Sequence, residues 1–367
     1  MAPITTAAVN LSPAELSFLR SSLSQTPPIR LDHTKGPRDF RSMRAEYDVI
    51  TSANGSARIA LEDGTEALVG VKAEVEQTRQ SIFGQQNLHT EGADERMLLE
   101  QDDKVEEEGK GQNSWVEMSV EIPGFRDDDA LPVFLASMLT ESLLASGELK
   151  DRLYINRRFH WKLYIDILLL SPPLSYPLAL LSMTTHLALL TTRLPALISE
   201  KDEDPQFNDD WDAAVPLYPK DTEKPTGAKV MDKPPVIILA MAVGPNVIFD
   251  PSKEELAVAD SVLAIAYTGS KGSTTGARLV SIRTIDPPSH LTPPGVPNSM
   301  NSATGGTVPT SSADALTQRE MLANSGVWTP PRGGMKRGLV SQVTKMVVEA
   351  GGVGEEVINA LQAIEIG

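Results

Sequence analysis

A chain of 367 residues without a single cysteine can bury a sizeable core, but it can form no disulfide, thiolate nucleophile or cysteine-ligated metal centre. Its 49 acidic residues against 33 basic ones leave a net charge of −16. Proteins that hold nucleic acid unaided present a basic face to neutralise phosphates, so any nucleic-acid contact here is expected to be local or shared with more basic chains. The opening MAPITTAAVN lacks the basic-then-apolar order of a secretory signal.

Residues 11–23 read as a short amphipathic helix, with Ser12 as cap, Pro13 in the first turn, and Glu15 placed to close a capping box. Leu16, Leu19 and Leu23 give it a docking face, either for its own domain or for another chain. A polar turn region follows at 29–40, then a strand at 43–50. The clearest signal is 53–76, where two β-leaning runs meet at Asp63-Gly64. Glycine tolerates the positive φ of a tight turn, so this stretch is expected to be a hairpin. Residues 77–113 carry nine acidic against four basic residues and little periodicity, and are expected to be a solvated loop. A strand is expected at 115–122, with Trp115, Glu117, Ser119 and Glu121 sharing one face.

The run Asp127-Asp128-Asp129 precedes a core helix over 130–147, with Val133, Phe134, Met138, Leu139 and Leu143 as its apolar stripe and Gly147 as its stop. Residues 151–170 contain a strand pair or a long strand with a basic entrance at Arg157-Arg158, and 178–192 read as a second buried helix. The apolar region 163–198 is broken by Pro172, Pro173, Pro177 and Pro195 and contains Asp166, His186 and Arg193. A membrane span needs about 20 largely uninterrupted apolar residues, so this region is expected to be core. A second acidic loop, 199–212, precedes two strands over 235–250, a strand region at 254–266 and a closing strand at 278–283. From 286 to 334 proline, glycine, serine and threonine dominate, with a short helix at 313–323. Amphipathic helices at 339–350 and 355–364 end the chain.

The five histidines sit in unrelated contexts, and no Walker-type phosphate loop, dinucleotide-binding glycine turn or nucleophile elbow occurs. No cofactor or metal is expected. Asp250, Glu254 and Glu255 could in principle hold a hard cation. The simpler expectation is a helical turn started by Pro251 and Ser252, with both glutamates solvated in its first turn.

Several ordered stretches resemble RNase PH-like proteins. They are Asn54-Gly55-Ser56-Ala57-Arg58, Asp63-Gly64-Thr65, Val69-Gly70-Val71-Lys72-Ala73-Glu74, 158–166, Thr192-Arg193-Leu194-Pro195 and Asp250-Pro251-Ser252-Lys253-Glu254-Glu255. The pattern is similar to the subunits that build the hexameric ring of the RNA exosome. The resemblance implies an α+β RNase PH fold of two βαβα-type halves with helices packed between sheets. It divides the chain into 1–283 with the loop at 77–113, an insertion at 284–335, and helices at 336–367 that complete the domain.

Active members of the family degrade RNA from its 3′ end with phosphate as the attacking group. That chemistry uses cations to hold phosphate and acidic residues to place a proton or metal. The chain departs from the family pattern at each of these places. The helix at 130–144 has no basic residue, Pro172-Pro173-Leu174-Ser175-Tyr176-Pro177 stands where a GGTR-type phosphate loop belongs, and Leu256 replaces the second catalytic aspartate. Asp250 keeps the first position as a vestige. The resemblance therefore implies a catalytically silent ring subunit in the nucleus, nucleolus and cytoplasm. Its partners would be other RNase PH-like subunits, S1/KH-type cap subunits, exosome nucleases and RNA in the shared channel, with no membrane. RNA-contact candidates are Arg79, Arg157 and Arg158. The competing reading is an active phosphate-dependent 3′-exoribonuclease with a rearranged site built from Asp250, Glu254, Arg157 and Arg158.

Overall fold

The computed structural model describes residues 11–78, 111–199, 203–219, 232–269, 277–287, 289, 328–331 and 333–364. Most of the acidic loop, the loop around 270–276, the helix expected at 313–323 and Arg79 lie outside the described residues.

Helix α1 (Pro13–Leu23) starts with the expected capping box between Ser12 and Glu15. Its leucines face inward, with Leu16, Leu19 and Leu23 all buried, so the helix docks on its own chain. Strand β1 (Met43–Tyr47) leads into the expected hairpin of β2 (Gly55–Leu61) and β3 (Glu66–Gln77), where Ala57 faces Val69 across the antiparallel ladder. Gly64 makes the turn at a φ of 83°, and Asp63 Oδ1 fixes it by accepting the Thr65 amide at 2.9 Å. Strands β4 (Val116–Glu121) and β5 (Phe159–Leu169) complete a five-stranded sheet of order β1-β2-β3-β5-β4. β5 is antiparallel to β3, and β4 is parallel to β5. The parallel pair needs a crossover, which α2 (Ala130–Leu144) and α3 (Glu148–Arg152) supply.

Helix α4 (Leu178–Thr191) is apolar on all sides, and thirteen of its fourteen residues are buried. A helix with no polar face can only be stable when it is covered all round. It lies between the two sheets, against β2 and β3 on one side and β8 on the other. After α4 come the short antiparallel pair β6 (Arg193–Leu194) and β7 (Val215–Pro216), then β8 (Val236–Val243) and β9 (Asn246–Phe249). Helix α5 (Lys253–Leu256) precedes β10 (Ser261–Gly269) and β11 (Ala277–Ile285). The second sheet has the order β11-β10-β8-β9. Helices α6 (Arg337–Val348) and α7 (Val353–Gln362) pack on β11 and β10. Ser182 Oγ ties α4 to the second sheet by accepting the Ile237 amide at 2.7 Å. At the other side, a Cβ on Gly55 would stand 2.6 Å from Thr192 Cα, so only glycine lets β2 pass beneath the end of α4.

Three expectations need correction. Trp115 does not share the open face of β4: it sits in a 3-10 turn, is 3% exposed, and stacks on the His160 ring at 4.3 Å. Val133 leaves the α2 stripe and is exposed, while Leu131 and Leu135 point inward. The stretch at 151–170 contains the expected long strand, Phe159–Leu169, directly after Arg157-Arg158, with a helical turn before it. The strand region placed at 254–266 begins as α5 and turns to strand only at Ser261.

His186 is fully buried on α4, with Nδ1 2.7 Å from the Pro234 carbonyl and, among the described residues, no partner on Nε2. A carbonyl can only accept, so Nδ1 carries the proton and the ring is neutral. Burial lowers its pKa to about 4, against a smaller raising effect of the Pro234 contact. The unfolded chain therefore takes up a proton that the fold refuses between pH 6.5 and about 4. Stability should fall as pH drops through that window, by about 3 kcal/mol in all, and stay level above it. Urea unfolding of wild type and His186→Leu as a function of pH measures this: the variant should lose that part of the slope.

Candidate functional site

The corner after β9 carries Asp250, Glu254 and Glu255, and two arginines from the N-terminal segment fill it. Asp250 follows Phe249 with a φ of 46°, a left-handed turn, and Pro251-Ser252 then starts α5. Ser252 caps that helix in a second capping box, its Oγ accepting the Glu255 amide at 3.3 Å while Glu255 Oε2 accepts the Ser252 amide at 2.9 Å.

Arg30 is buried at this corner. Its Nε and Nη2 donate to the two oxygens of Glu255 at 3.0 and 2.8 Å. Nη2 also reaches the Asp250 carbonyl at 2.9 Å, and Nη1 faces the carbonyls of Gly36, Asp39 and Phe249, each at 3.3 Å. Every face of the guanidinium meets an acceptor. The side chains of Arg30 and Glu255 are only 6% and 2% exposed. Glu255 is thus not the solvated first-turn residue expected from sequence; it is the counter-ion of an arginine 225 positions away.

Arg41 makes the second fork. Nε and Nη2 donate to Asp250 Oδ2 and Oδ1 at 2.9 and 2.6 Å, and the Arg41 amide adds a third bond to Oδ2 at 2.8 Å. Nη1 reaches Asp63 in the β2–β3 turn at 2.5 Å and Ser175 Oγ at 2.9 Å. One guanidinium therefore joins the N-terminal segment, the hairpin turn, the stretch after β5 and the end of β9. Burial alone would lower the Arg41 pKa, but Asp250 and Asp63 outweigh it and hold the charge more firmly than usual. Burial would likewise raise the Asp63 carboxyl; the Thr65 amide and Arg41 reverse that and hold it below its ordinary value.

The sequence-based candidates separate in space. Asp250 is held by Arg41, Glu254 accepts the Ser252 hydroxyl at 3.0 Å, and Leu256 is buried in the apolar core. Among the described residues no three histidine, aspartate or glutamate side chains are grouped so as to hold a metal ion. Arg157 and Arg158 precede β5, whereas Ser175 and the Asp250 corner lie beyond its other end. Eleven extended residues span roughly 30 Å or more, so these arginines do not reach Asp250. Arg158 pairs with Asp204 at 2.9 Å and lies over the Phe159 ring at 5.5 Å. Its carbonyl accepts the Thr78 amide at 2.7 Å. Arg79, the next residue, lies outside the described ones. Sequence reasoning missed Arg30 and Arg41, which fell in or beside a stretch read only as polar turn. Nothing local could mark them, because the carboxylates they grip in a fork, Glu255 and Asp250, are more than 200 positions away.

The geometry defines a two-sheet α+β protein whose acidic corner is closed by arginines, and comparison with known proteins places it. The profile of domain 1 of the 3′ exoribonuclease family, RNase PH, matches residues 39–195. The exosome complex component RRP42 of Saccharomyces cerevisiae is 30% identical over 269 residues, covering 72% of this chain and 83% of that protein. The exosome complex component rrp42 of Schizosaccharomyces pombe is 28% identical over 288 residues, 74% of this chain and 83% of that protein. Among solved structures, an archaeal exosome core aligns with 85% of this chain and 98% of that one, at 19% identity and a TM-score of 0.48. The chain belongs to the RNase PH-like family, and its fold is the RNase PH fold.

Replacing Arg30 with methionine leaves the Glu255 charge buried without its partner, and stability should drop by about 3–5 kcal/mol. Arg44→Met, at a side chain 83% exposed, should change it by no more than about 0.5 kcal/mol. Urea midpoints of the two variants measure the contrast; equal losses would contradict the role given to the buried pair.

Proposed function

We propose that this chain is a catalytically silent ring subunit of the RNA exosome, present in the nucleus, nucleolus and cytoplasm. It would pair with other RNase PH-like chains, support S1/KH-type caps, and shape a channel that leads RNA to nucleases held elsewhere. The ring role rests on the relationship to the two yeast exosome components. The silence rests on one observation: the only acid kept at the family's catalytic positions, Asp250, has both oxygens engaged by Arg41. Phosphorolysis asks an acid to give up or take a proton beside a bound phosphate. Asp250 would first have to release three donors from a single residue, and Leu256 offers no second acid. The competing reading, a rearranged active site, would need Arg157 and Arg158 at a corner that lies a full strand length away.

Arg79, Arg157 and Arg158 remain the proposed RNA contacts. The position of Arg157 and Arg158 before β5, where Thr78 bonds to Arg158, would set those two at one rim of a channel. RNA would have to compete there with Asp204.

Purified chain mixed with single-stranded RNA and inorganic phosphate should release no nucleoside diphosphates, and the chain should co-elute with RNase PH-like ring partners in size-exclusion chromatography. Phosphate-dependent shortening that disappears in Asp250→Ala would overturn the silent reading. A chain that joins no ring would overturn the exosome assignment.

A further inference from the structure

The hairpin between α4 and the second sheet carries an unusual surface. It runs through β6 and β7 and is extended by the Leu197–Phe207 bridge and by bonds from Ile198 N to Gln206 O and from Asn208 N to Ala196 O. Among the described residues twelve large apolar side chains are exposed, and four of them, Leu197, Ile198, Trp211 and Val215, belong to this one hairpin. Scattered exposed apolar residues are ordinary on a soluble surface; several on one element, with a tryptophan among them, mark a contact site.

The hairpin is firmly held, so the exposure does not come from a loose attachment. Phe207 packs on Trp161 with ring centroids 4.9 Å apart, and Leu217 is buried with its amide donating to Thr192 O at 2.8 Å. Asn156 Nδ2 donates to the Glu203 carbonyl at 2.9 Å, and Arg152 bonds to the Leu217 carbonyl. Trp211 itself stands on a 3-10 turn capped by Asp210, whose side chain accepts the Asp212 amide at 3.0 Å. A preorganised anchor loses little entropy on binding.

The charge around it selects the occupant. Glu203, Asp204, Asp209, Asp210 and Asp212 are all exposed along the same hairpin. RNA would be repelled, and a second copy of a chain with net charge −16 would bring more of the same sign. We infer that this hairpin is a docking site for a cationic segment of another protein, one in which basic side chains alternate with apolar ones that cover Trp211 and Ile198. Within the proposed ring this would be a contact with a neighbouring chain, but the surface chemistry does not depend on that reading.

Trp211 also provides the probe. Of the four tryptophans, Trp115, Trp161 and Trp328 are buried and Trp211 is 49% exposed, so acrylamide quenching of the whole chain reports on this site. A peptide of alternating leucine and lysine should protect the fluorescence and shift it to the blue, and the same peptide with glutamate for lysine should not. Ile198→Glu with Val215→Glu should abolish protection. Neutralising Asp209, Asp210 and Asp212 to asparagine should weaken it about tenfold, and Trp211→Phe should remove the signal. Equal protection by both peptides, or none by either, overturns the inference whether or not the chain enters a ring. In an assembled ring Trp211 should be protected without peptide. Failure of the ring to form counts against the proposed function alone, and the peptide result still decides the docking site.

Discussion

The fold depends most on a charge that water cannot reach. The Arg30 guanidinium is buried among five acceptor groups and faces a carboxylate that is buried as deeply. Such a pair is stable only when geometry and hydrogen bonds replace the hydration that both ions have lost. Once that condition is met, the path of the chain from Ile29 to Arg41 is fixed, and with it the corner that joins the two sheets. Arg41 extends the same arrangement to Asp63 and Ser175, so the opening hairpin is tied to the second sheet by charge as well as by the apolar packing of α4. The corner that carries Asp250 is a joint between the two sheets.

This view links stability with function more closely than either the sequence or the comparisons do alone. Asp250 holds the N-terminal segment in place through Arg41, and Leu256 joins the buried core. Among the described residues, exposed acidic side chains gather on the hairpin that bears Trp211, at Glu203, Asp204, Asp209, Asp210 and Asp212.

Much of the fold was legible in local pattern. The capping box at Ser12, the Asp63-Gly64 turn and the all-round apolar α4 each rest on neighbours within a few positions, and each was found where expected. Errors arose where a distant contact outweighed the local pattern. Trp115 alternates like a strand residue, but the flat face of His160, from a neighbouring strand, draws it inward. Glu255 reads as a solvated first-turn glutamate until Arg30 arrives from 225 positions away. The site was legible only in what it lacks, because the arginines that close it have no motif of their own.

The central claim is that Asp250 serves as the partner of Arg41. A double-mutant cycle with Arg41→Met and Asp250→Asn, read from urea unfolding, measures that partnership directly. Two forked bonds between side chains that are 16% and 11% exposed should give a coupling energy of about 2 kcal/mol or more. Additive losses, within about 0.5 kcal/mol, would show that the two residues act independently and that the corner is not held as described.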